Sequence, residues 1–434
     1  MQTLEELKSG KLVGETKIQL SEGLTKFPRE LFELKDTLEF LDLSGNQLTE
    51  LPVDFDSFTK LKILFLSKNN FTIFPEILAK CPSLTMIGMR SNLIDEIPEN
   101  SFPEKLQWLI LTENRIEKLP RSISKCSFLQ KFAISGNLLK ELPEEMQNCK
   151  RLELLRISAN RLTTIPDWLL KLPRLSWLAY SGNPCSEKVE IDTYLEEIDW
   201  SQLELKEQLG EGASGIISKA ILKSKENLEV AIKIFKGEVT SDGLPEDELQ
   251  TCISAGKHFN LVPLLAKIKN HSEGKEGLVM ELISSDYINL GKPPSFETCT
   301  RDVLNTELYY FVNQILMILK SVASVGAHLH KRGILHGDLY AHNTMVNQDG
   351  NALLGDFGAA TFYNVNSENA SLLERLDVRA FGCLIDDLLR QIRIEEVDKD
   401  EYRSLNELRE KCMLEEVENR LGFEEIVVFI ISLV

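Results

Sequence analysis

The 434-residue sequence predicts a multidomain protein, in which a solenoid of stacked α/β repeats is followed by a separate α+β domain. Asparagine recurs every 22 or 23 residues through the first half of the chain, at positions 46, 69, 92, 114, 137, 160 and 183. A fixed period of this length indicates stacked repeats, because one such unit cannot bury its apolar face alone. After about residue 185 the period stops, and glycine-rich and acidic motifs of another kind follow.

The composition argues against some classes of partner. Lys+Arg 49 and Asp+Glu 67 give a formal net charge of −18, so we expect neither nucleic-acid nor membrane-surface binding. The N-terminus has no apolar run, so no secretory signal is expected.

Three cysteines, Cys81, Cys126 and Cys149, fill a repeat position that holds Phe58 and Leu172 in sister repeats. This favours buried, reduced thiols and a cytoplasmic protein.

Each repeat predicts a short strand followed by a turn. In the first well-formed repeat, Leu38, Leu41 and Leu43 alternate inward, and Asn46 can bond backbone groups where the chain leaves the strand. Stacked copies of this asparagine would form a ladder. The pattern resembles the leucine-rich-repeat family over about residues 15–185. The resemblance implies a horseshoe-shaped solenoid over 1–185, with an atypical first repeat and seven further repeats.

The first outward position of each strand forms a column on the concave face: Phe40, Ile63, Met86, Trp108, Lys131, Leu154 and Trp177. The column is mostly large and apolar. Either its members cover one another, or another domain packs on Leu154 and Trp177, or the column is a groove for a protein or peptide partner. We favour the groove, because exposed apolar patches usually mark contact sites. Its polar anchors would be Arg90, Lys131 and Arg156.

The second half carries groups suited to phosphate chemistry. Gly210, Gly212 and Gly215 lie between two alternating segments that predict strands, and such a hairpin lets backbone amides approach phosphates. Lys233 is the one cation in the apolar run VAIKIF. The segments HGDLYAHN and GDFGAA, with their Asp and Asn oxygens, each follow an apolar run, which places their carboxylates at strand ends. Such hard oxygen ligands are the kind that Mg²⁺ prefers.

These motifs, followed by DVRAFG at residues 377–382, resemble the protein kinase family in kind and order. The resemblance implies a bilobal kinase-like domain over 204–434, after a linker at 186–203, with ATP and Mg²⁺ as cofactors. Asp338 would orient and deprotonate the attacking hydroxyl, Asn343 and Asp356 would hold Mg²⁺, and Lys233 would bind the α/β-phosphates. The remaining expected nucleotide contacts are Leu209, Gly210, Glu211, Gly212, Ala213, Ser214, Gly215, Ile217, Ala231, Met280, Glu281 and Ile283. Glu248 would pair with Lys233, with Glu246 in reserve.

The sequence departs from the family pattern in several places. Gly337 replaces the arginine that the family commonly has before the catalytic aspartate. Tyr340 stands where Ser/Thr kinases typically have lysine, and His342 stands where tyrosine kinases typically have arginine. Control by loop phosphorylation is therefore not expected. The segment 356–377 is short and lacks A-P-E. We expect Glu374 to substitute, paired with Arg420, and substrate selection to fall to the repeats.

Three functions fit the sequence. The favoured one is a Ser/Thr protein kinase whose repeats recruit a protein substrate or regulator. The second is a small-molecule phosphotransferase, because H-G-D-x-x-x-x-N resembles the catalytic loop of antibiotic and choline kinases. The third is a catalytically inactive pseudokinase scaffold.

Overall fold

The computed structural model describes residues 2–187, 195–212, 214–237 and 239–433. Its contacts divide the chain into two compact units, Met1–Leu172 with Asn183–Cys185 and Pro173–Gly182 with Ser186–Val434. By their contacts, residues 173–182, which the sequence assigned to the repeats, group with the second unit. The expected nucleotide contact Ala213 and residues 188–194 of the expected linker lie outside the described residues.

The first unit is built from three-residue parallel strands: β1 (Lys17–Gln19), β2 (Phe40–Asp42), β3 (Ile63–Phe65), β4 (Met86–Gly88), β5 (Trp108–Ile110), β6 (Lys131–Ala133) and β7 (Leu154–Arg156). β8 (Trp177–Ala179) comes last in the order of the sheet. A short helix, α1 (Leu4–Lys8), precedes β1, and another, α2 (Asp167–Leu170), follows β7. Four of the return segments contain a 3₁₀ turn directly preceded by proline, which steers the chain away from a long helix.

The asparagines form the expected ladder. Asn137 is typical: its Nδ2 donates to the carbonyls of Leu111 (2.9 Å) and Ile134 (3.0 Å), and its Oδ1 accepts from the Ile116 N–H (3.0 Å). Asn46, Asn69, Asn92, Asn114 and Asn160 are buried and bond neighbouring repeats in the same way. Each asparagine amide bonds backbone groups of two repeats. The ladder therefore satisfies polar backbone groups at the place where the chain leaves each short strand. The leucines at the inward positions are fully buried, also as expected.

The concave column is only partly exposed, which corrects the predicted groove. Phe40, Ile63, Trp108 and Lys131 are half-buried, and the Lys131 Nζ lies 4.0 Å from the centre of the Trp108 ring. Met86, Leu154 and Trp177, in contrast, are buried. In-register parallel pairing sets Met86 between Ile63 and Trp108, so neighbours about one strand spacing away cover it. Neighbouring side chains therefore shield part of this surface.

The second unit begins with a six-stranded sheet in the order β10-β11-β12-β14-β13-β9. Its strands are β9 (Glu196–Asp199), β10 (Leu203–Glu211), β11 (Gly215–Leu222), β12 (Leu228–Phe235), β13 (Leu264–Lys269) and β14 (Gly277–Glu281). All pairs are antiparallel except β9 with β13. Helix α3 (Pro245–Ala255) packs on this sheet through Leu249 and Ile253, which contact Phe235 and Leu278.

The rest of the second unit is mainly helical, with α4 (Val312–His330), α5 (Ala370–Leu389), α6 (Asp400–Cys412) and α7 (Phe423–Ile431). Five short strands complete it: β15 (Ile288–Asn289), β16 (Ile334–Leu335), β17 (Thr344–Val346), β18 (Ala352–Leu354) and β19 (Thr361–Phe362). They form the sheets β15-β17-β18 and β16-β19. By length and composition α4 could cross a membrane, but 61% of its most apolar window is buried inside the protein, as in a core helix.

Candidate active site

The glycine-rich segment joins β10 to β11 as a hairpin, and the N–H of Gly212 donates to the carbonyl of Gly215 (2.9 Å). A Cβ at position 215 would lie 2.7 Å from the Ile234 carbonyl oxygen, so packing against β12 requires glycine there. At Gly210 and Gly212 an added Cβ would meet nothing within 4 Å. The contacts described do not demand glycine at these two positions, and the open space leaves room for a phosphate close to the backbone.

Lys233 on β12 forms an ion pair with Glu248 on α3. The Lys233 side chain is 11% exposed and that of Glu248 2%. Burial by itself lowers the pKa of Lys233, but the negative charges of Glu248 and Asp356 outweigh burial and raise it above the ordinary value. The lysine therefore stays protonated in the fold. Glu246, the alternative partner, is exposed.

Asp338 and Asp356 each follow a short buried strand, β16 and β18 respectively. Asn343 Nδ2 donates to the Asp338 backbone oxygen (2.9 Å) and to Asp338 Oδ2 (2.7 Å), which fixes the two side chains relative to one another. The N–H of Gly358 donates to Asp356 Oδ1 (3.1 Å). Asp356 has a φ of 55°, a left-handed conformation that costs a residue with a side chain energy and is frequent at functional sites.

The electrostatics of Asp356 connect these groups. Burial by itself raises the pKa of Asp356, but the positive charge of Lys233 and the N–H of Gly358 outweigh it, so the pKa lies below its ordinary value. Asp356 is therefore ionised close to Lys233. Next in sequence, Phe357 is buried in a cluster with Ala255 of α3 and Leu329 of α4. The segment that carries Asp356 is thus anchored to both parts of the unit.

The donor set fits a magnesium nucleotide. Asn343 and Asp356 offer amide and carboxylate oxygens, and Asp338 and Glu248 add negative charge that Lys233 alone does not balance. Within the described ranges, no group of three or more His, Cys, Asp or Glu could hold a metal ion by itself. Mg²⁺ commonly takes one or two protein carboxylates and completes its shell with phosphate oxygens and water, and Asn343 and Asp356 would supply the protein ligands of such a shell.

The other expected nucleotide contacts lie on strands around this site. Ala231 is buried and lies opposite Met280 in the register of β12 and β14, and Ile217 of β11 lies opposite Lys233. Leu209 and Glu211 are on β10, Ser214 directly precedes β11, and Glu281 and Ile283 lie at and just beyond the end of β14. Glu211 Oε1 accepts from Lys236 Nζ (2.7 Å).

Two groups that sequence reasoning had not assigned hold the loop that carries Asp338. Asp377 on α5 is buried and accepts from the N–H of His336 (2.8 Å) and of Gly337 (3.0 Å). Asp302 accepts from the N–H of His342 (2.9 Å) and bonds its Nδ1 (2.7 Å). The DVRAFG motif signalled the first; no local pattern signals Asp302.

The charge state of His342 follows from its surroundings. Burial by itself lowers the pKa of His342, but the hydrogen bond to Asp302 and the charges of Asp302, Asp338 and Asp356 outweigh it and raise the pKa above its ordinary value. The imidazole therefore lies close enough to both candidate catalytic carboxylates to interact with them electrostatically.

The expected pair of Glu374 with Arg420 is wrong. Glu374 Oε1 accepts instead from the Tyr363 hydroxyl (2.8 Å). Arg420 is buried and donates to the carbonyls of Leu414 (2.8 Å), Arg375 (3.2 Å) and Pro173 (2.8 Å). Burial, and next the nearby Arg379, lower the pKa of Arg420 to about 9. Three backbone oxygens thus take the place of the expected carboxylate.

Comparisons with known proteins agree with this architecture. A family model described as protein kinase domain matches residues 203–380, and one described as leucine rich repeat matches residues 36–94 and 104–162. Residues 203–380 therefore correspond to a protein kinase domain. Since the repeats precede it, the protein is a fusion of leucine-rich repeats with a protein kinase domain.

Several curated proteins are similar to the kinase part. CTD kinase subunit alpha of Schizosaccharomyces pombe is 29% identical over 172 residues, which are 39% of this chain and 26% of that protein. Cyclin-dependent kinase 2 of Caenorhabditis elegans is 29% identical over 164 residues, 37% of this chain and 41% of that protein. Probable cyclin-dependent kinase 10 of Dictyostelium discoideum is 28% identical over 156 residues, 36% and 39% respectively. The chain thus spans well under half the length of these relatives.

Proposed function

We propose that the protein transfers the γ-phosphoryl group of ATP to serine or threonine hydroxyls of a protein substrate. The observation that carries the proposal is that the buried Lys233–Glu248 pair and the ionised Asp356 interact electrostatically, in the same compact unit as the hydrogen-bonded Asp338–Asn343 pair. The names of the similar curated proteins, which include a probable serine/threonine-protein kinase, support the choice of hydroxyl.

Each side chain has a defined part in this reaction. Lys233, held by Glu248, binds oxygens of the α- and β-phosphates, while Asn343 and Asp356 hold Mg²⁺, which supplies charge neutralisation when bound. Asp338 accepts the proton of the attacking hydroxyl. The new bond forms between that hydroxyl oxygen and the γ-phosphorus, as the bond from the γ-phosphorus to the bridging oxygen of ADP breaks.

The repeats are proposed to bind a protein partner. Phe40, Ile63 and Trp108 remain half-exposed on the concave column, and Lys131 covers the Trp108 ring. Trp177 is not part of this surface, because it is buried in the second unit. A cytoplasmic location is also proposed, and the eight free cysteines support it, since a reducing compartment keeps thiols unpaired.

The test is phosphoryl transfer by the purified full chain. The protein is incubated with γ-labelled ATP and Mg²⁺, alone, with a generic protein substrate, and with small alcohols. Label on serine or threonine supports the proposal. Turnover with small alcohols alone indicates a small-molecule phosphotransferase, and nucleotide binding without transfer indicates a pseudokinase scaffold.

Two variants and a matched control connect the activity to the site. Asp338→Asn and Asp356→Asn should each lower transfer by at least about 100-fold, because a general base or a metal ligand is lost. Asp349→Asn alters an exposed aspartate in the turn between β17 and β18 and should leave the rate unchanged. Full activity in Asp356→Asn would refute the metal role.

A further inference from the structure

Segment 173–182 makes close contact with the loop that carries Asp338. Trp177 is 1% exposed and stacks on Tyr340, with ring centroids 4.3 Å apart and planes 7° from parallel. Its Nε1 donates to the carbonyl oxygen of Leu339 (3.1 Å). Leu339 and Tyr340 are the two residues directly after Asp338. One indole therefore fixes both the backbone and a side chain next to the candidate catalytic carboxylate.

The same segment also fixes the residue before Asp338. Gly337 has a φ of 69°, and a Cβ there would collide with the carbonyl oxygens of Leu178 and Ala359, the latter at 2.9 Å. Only glycine fits this conformation and this space. The arginine that the kinase family commonly carries at this place is therefore excluded by the backbone of the segment. The N–H of Gly337 donates to Asp377, so helix α5 also holds this loop through a backbone hydrogen bond.

Two buried arginines tie segment 173–182 to the helical part of the unit. Arg379 Nη1 donates to the Ser176 Oγ (2.6 Å), and Arg420 Nη2 donates to the Pro173 carbonyl (2.8 Å). Arg379 lies two residues after Asp377 on the same helix. Asp377 of α5 and Trp177 of segment 173–182 thus both hold the loop. Helix α5 and segment 173–182 are in turn joined by the hydrogen bond between Arg379 and Ser176.

We infer that segment 173–182 is a positioning element of the kinase domain, which orders the catalytic loop in place of a phosphorylated activation segment, with Trp177 as its positioning residue. The inference rests on the proposed function for its kinetic consequence. It explains together why Gly337 replaces an arginine and why an aromatic ring stands at Tyr340. Thr361, the first hydroxyl side chain after Asp356, is fully buried.

The experiment compares Trp177→Ala and Trp177→Phe with Trp168→Ala in the full chain. Trp168 lies half-buried in α2 of the first unit and loses the same volume on substitution. Trp177→Ala should lower kcat about 10- to 100-fold, because a misplaced catalytic group costs up to about 100-fold, with KM for ATP within about twofold. Trp177→Phe keeps a ring for Tyr340 and should recover part of kcat. Trp168→Ala should match the wild type.

Hydrogen–deuterium exchange gives a readout that does not depend on activity. In Trp177→Ala the amides of residues 334–346 should exchange at least about tenfold faster, while those of β12 stay protected. If the wild-type protein transfers no phosphoryl group, the proposed function is wrong. The exchange measurement would still test the positioning role of Trp177. Unchanged exchange and kcat in Trp177→Ala would overturn it, as would an equal loss in Trp168→Ala. If Trp177→Ala does not fold, Trp177→Phe takes its place in the test. Amide exchange and kcat equal to those of the wild type in Trp177→Phe would then overturn the positioning role.

Discussion

Replacing Glu248 with glutamine tests whether the buried ion pair sets the position of Lys233. The substitution keeps the size of the side chain and removes its charge. Glu248 is 2% exposed and the Lys233 side chain 11%, so the lysine would be left charged where water hardly reaches. Breaking a buried pair by removing one partner costs about 3–5 kcal/mol. Asp356 remains as a second anion near the ammonium, so we expect the lower end, about 3 kcal/mol.

That loss has a kinetic counterpart, because Lys233 is then drawn towards Asp356 and away from the phosphates. If the whole about 3 kcal/mol is lost from transition-state binding, kcat/KM for ATP falls about 100-fold. Steady-state kinetics and thermal denaturation measure the two effects separately.

Glu246→Gln is the matched control for this experiment, since Glu246 is exposed on the same helix and its loss should change neither quantity. A double-mutant cycle with Lys233→Met isolates the pairwise contribution. The reasoning is refuted if Glu248→Gln stays within twofold of the wild type, or if both glutamine variants lose activity equally.

Three further predictions concern stability, nucleotide access and thiol chemistry. Asn137→Ala should lower the free energy of unfolding by about 1–3 kcal/mol, since it leaves the buried N–H of Ile116 without its acceptor, while the Leu111 and Ile134 carbonyls keep the bonds from Asn114 and Asn160; exposed Asn148→Ala should change it by less than about 0.5 kcal/mol in the same denaturant titration. Gly212→Ala should leave thermal stability unchanged, because its Cβ meets nothing, yet raise the Kd for ATP in calorimetry. Burial raises the pKa of Cys126 to about 12 and of Cys149 to about 11, so alkylation of the native protein should become appreciable only as pH rises towards those values; rapid labelling at pH 8 by mass spectrometry would contradict this.

Local sequence patterns predicted much of this fold and of the candidate site. The period of the asparagines specifies their ladder, because each amide bonds backbone in its own and the adjacent repeat. The Lys233–Glu248 pair was also expected from the resemblance to protein kinases, and its two residues lie only 15 positions apart in the chain. The order of the motifs therefore predicts side-chain pairs whose strand and helix are neighbours along the chain.

Contacts between distant parts of the chain were not predictable in this way. Trp177 was placed in the favoured groove because its position in the repeat faces outward, with packing of another domain on Leu154 and Trp177 kept as an alternative; its indole bonds a carbonyl 162 residues further on. Arg420 was paired with the carboxylate of Glu374, whereas it reaches the Pro173 carbonyl 247 residues back in the chain. A repeat pattern states which way a side chain points and carries no information about what packs on it.

Two of the departures from the kinase pattern, Gly337 and Tyr340, have the same physical cause. An arginine before the catalytic aspartate needs an anion beside it, and its cost when buried without one is large. Here the place is filled by the Leu178 backbone, so glycine is the residue that fits. A lysine two positions after Asp338 would put a charge where Trp177 is fully buried, whereas Tyr340 provides a ring to stack on. On the inferred positioning role, packing and backbone hydrogen bonds order this loop without a phosphate, and Gly337 and Tyr340 are the residues that such packing requires.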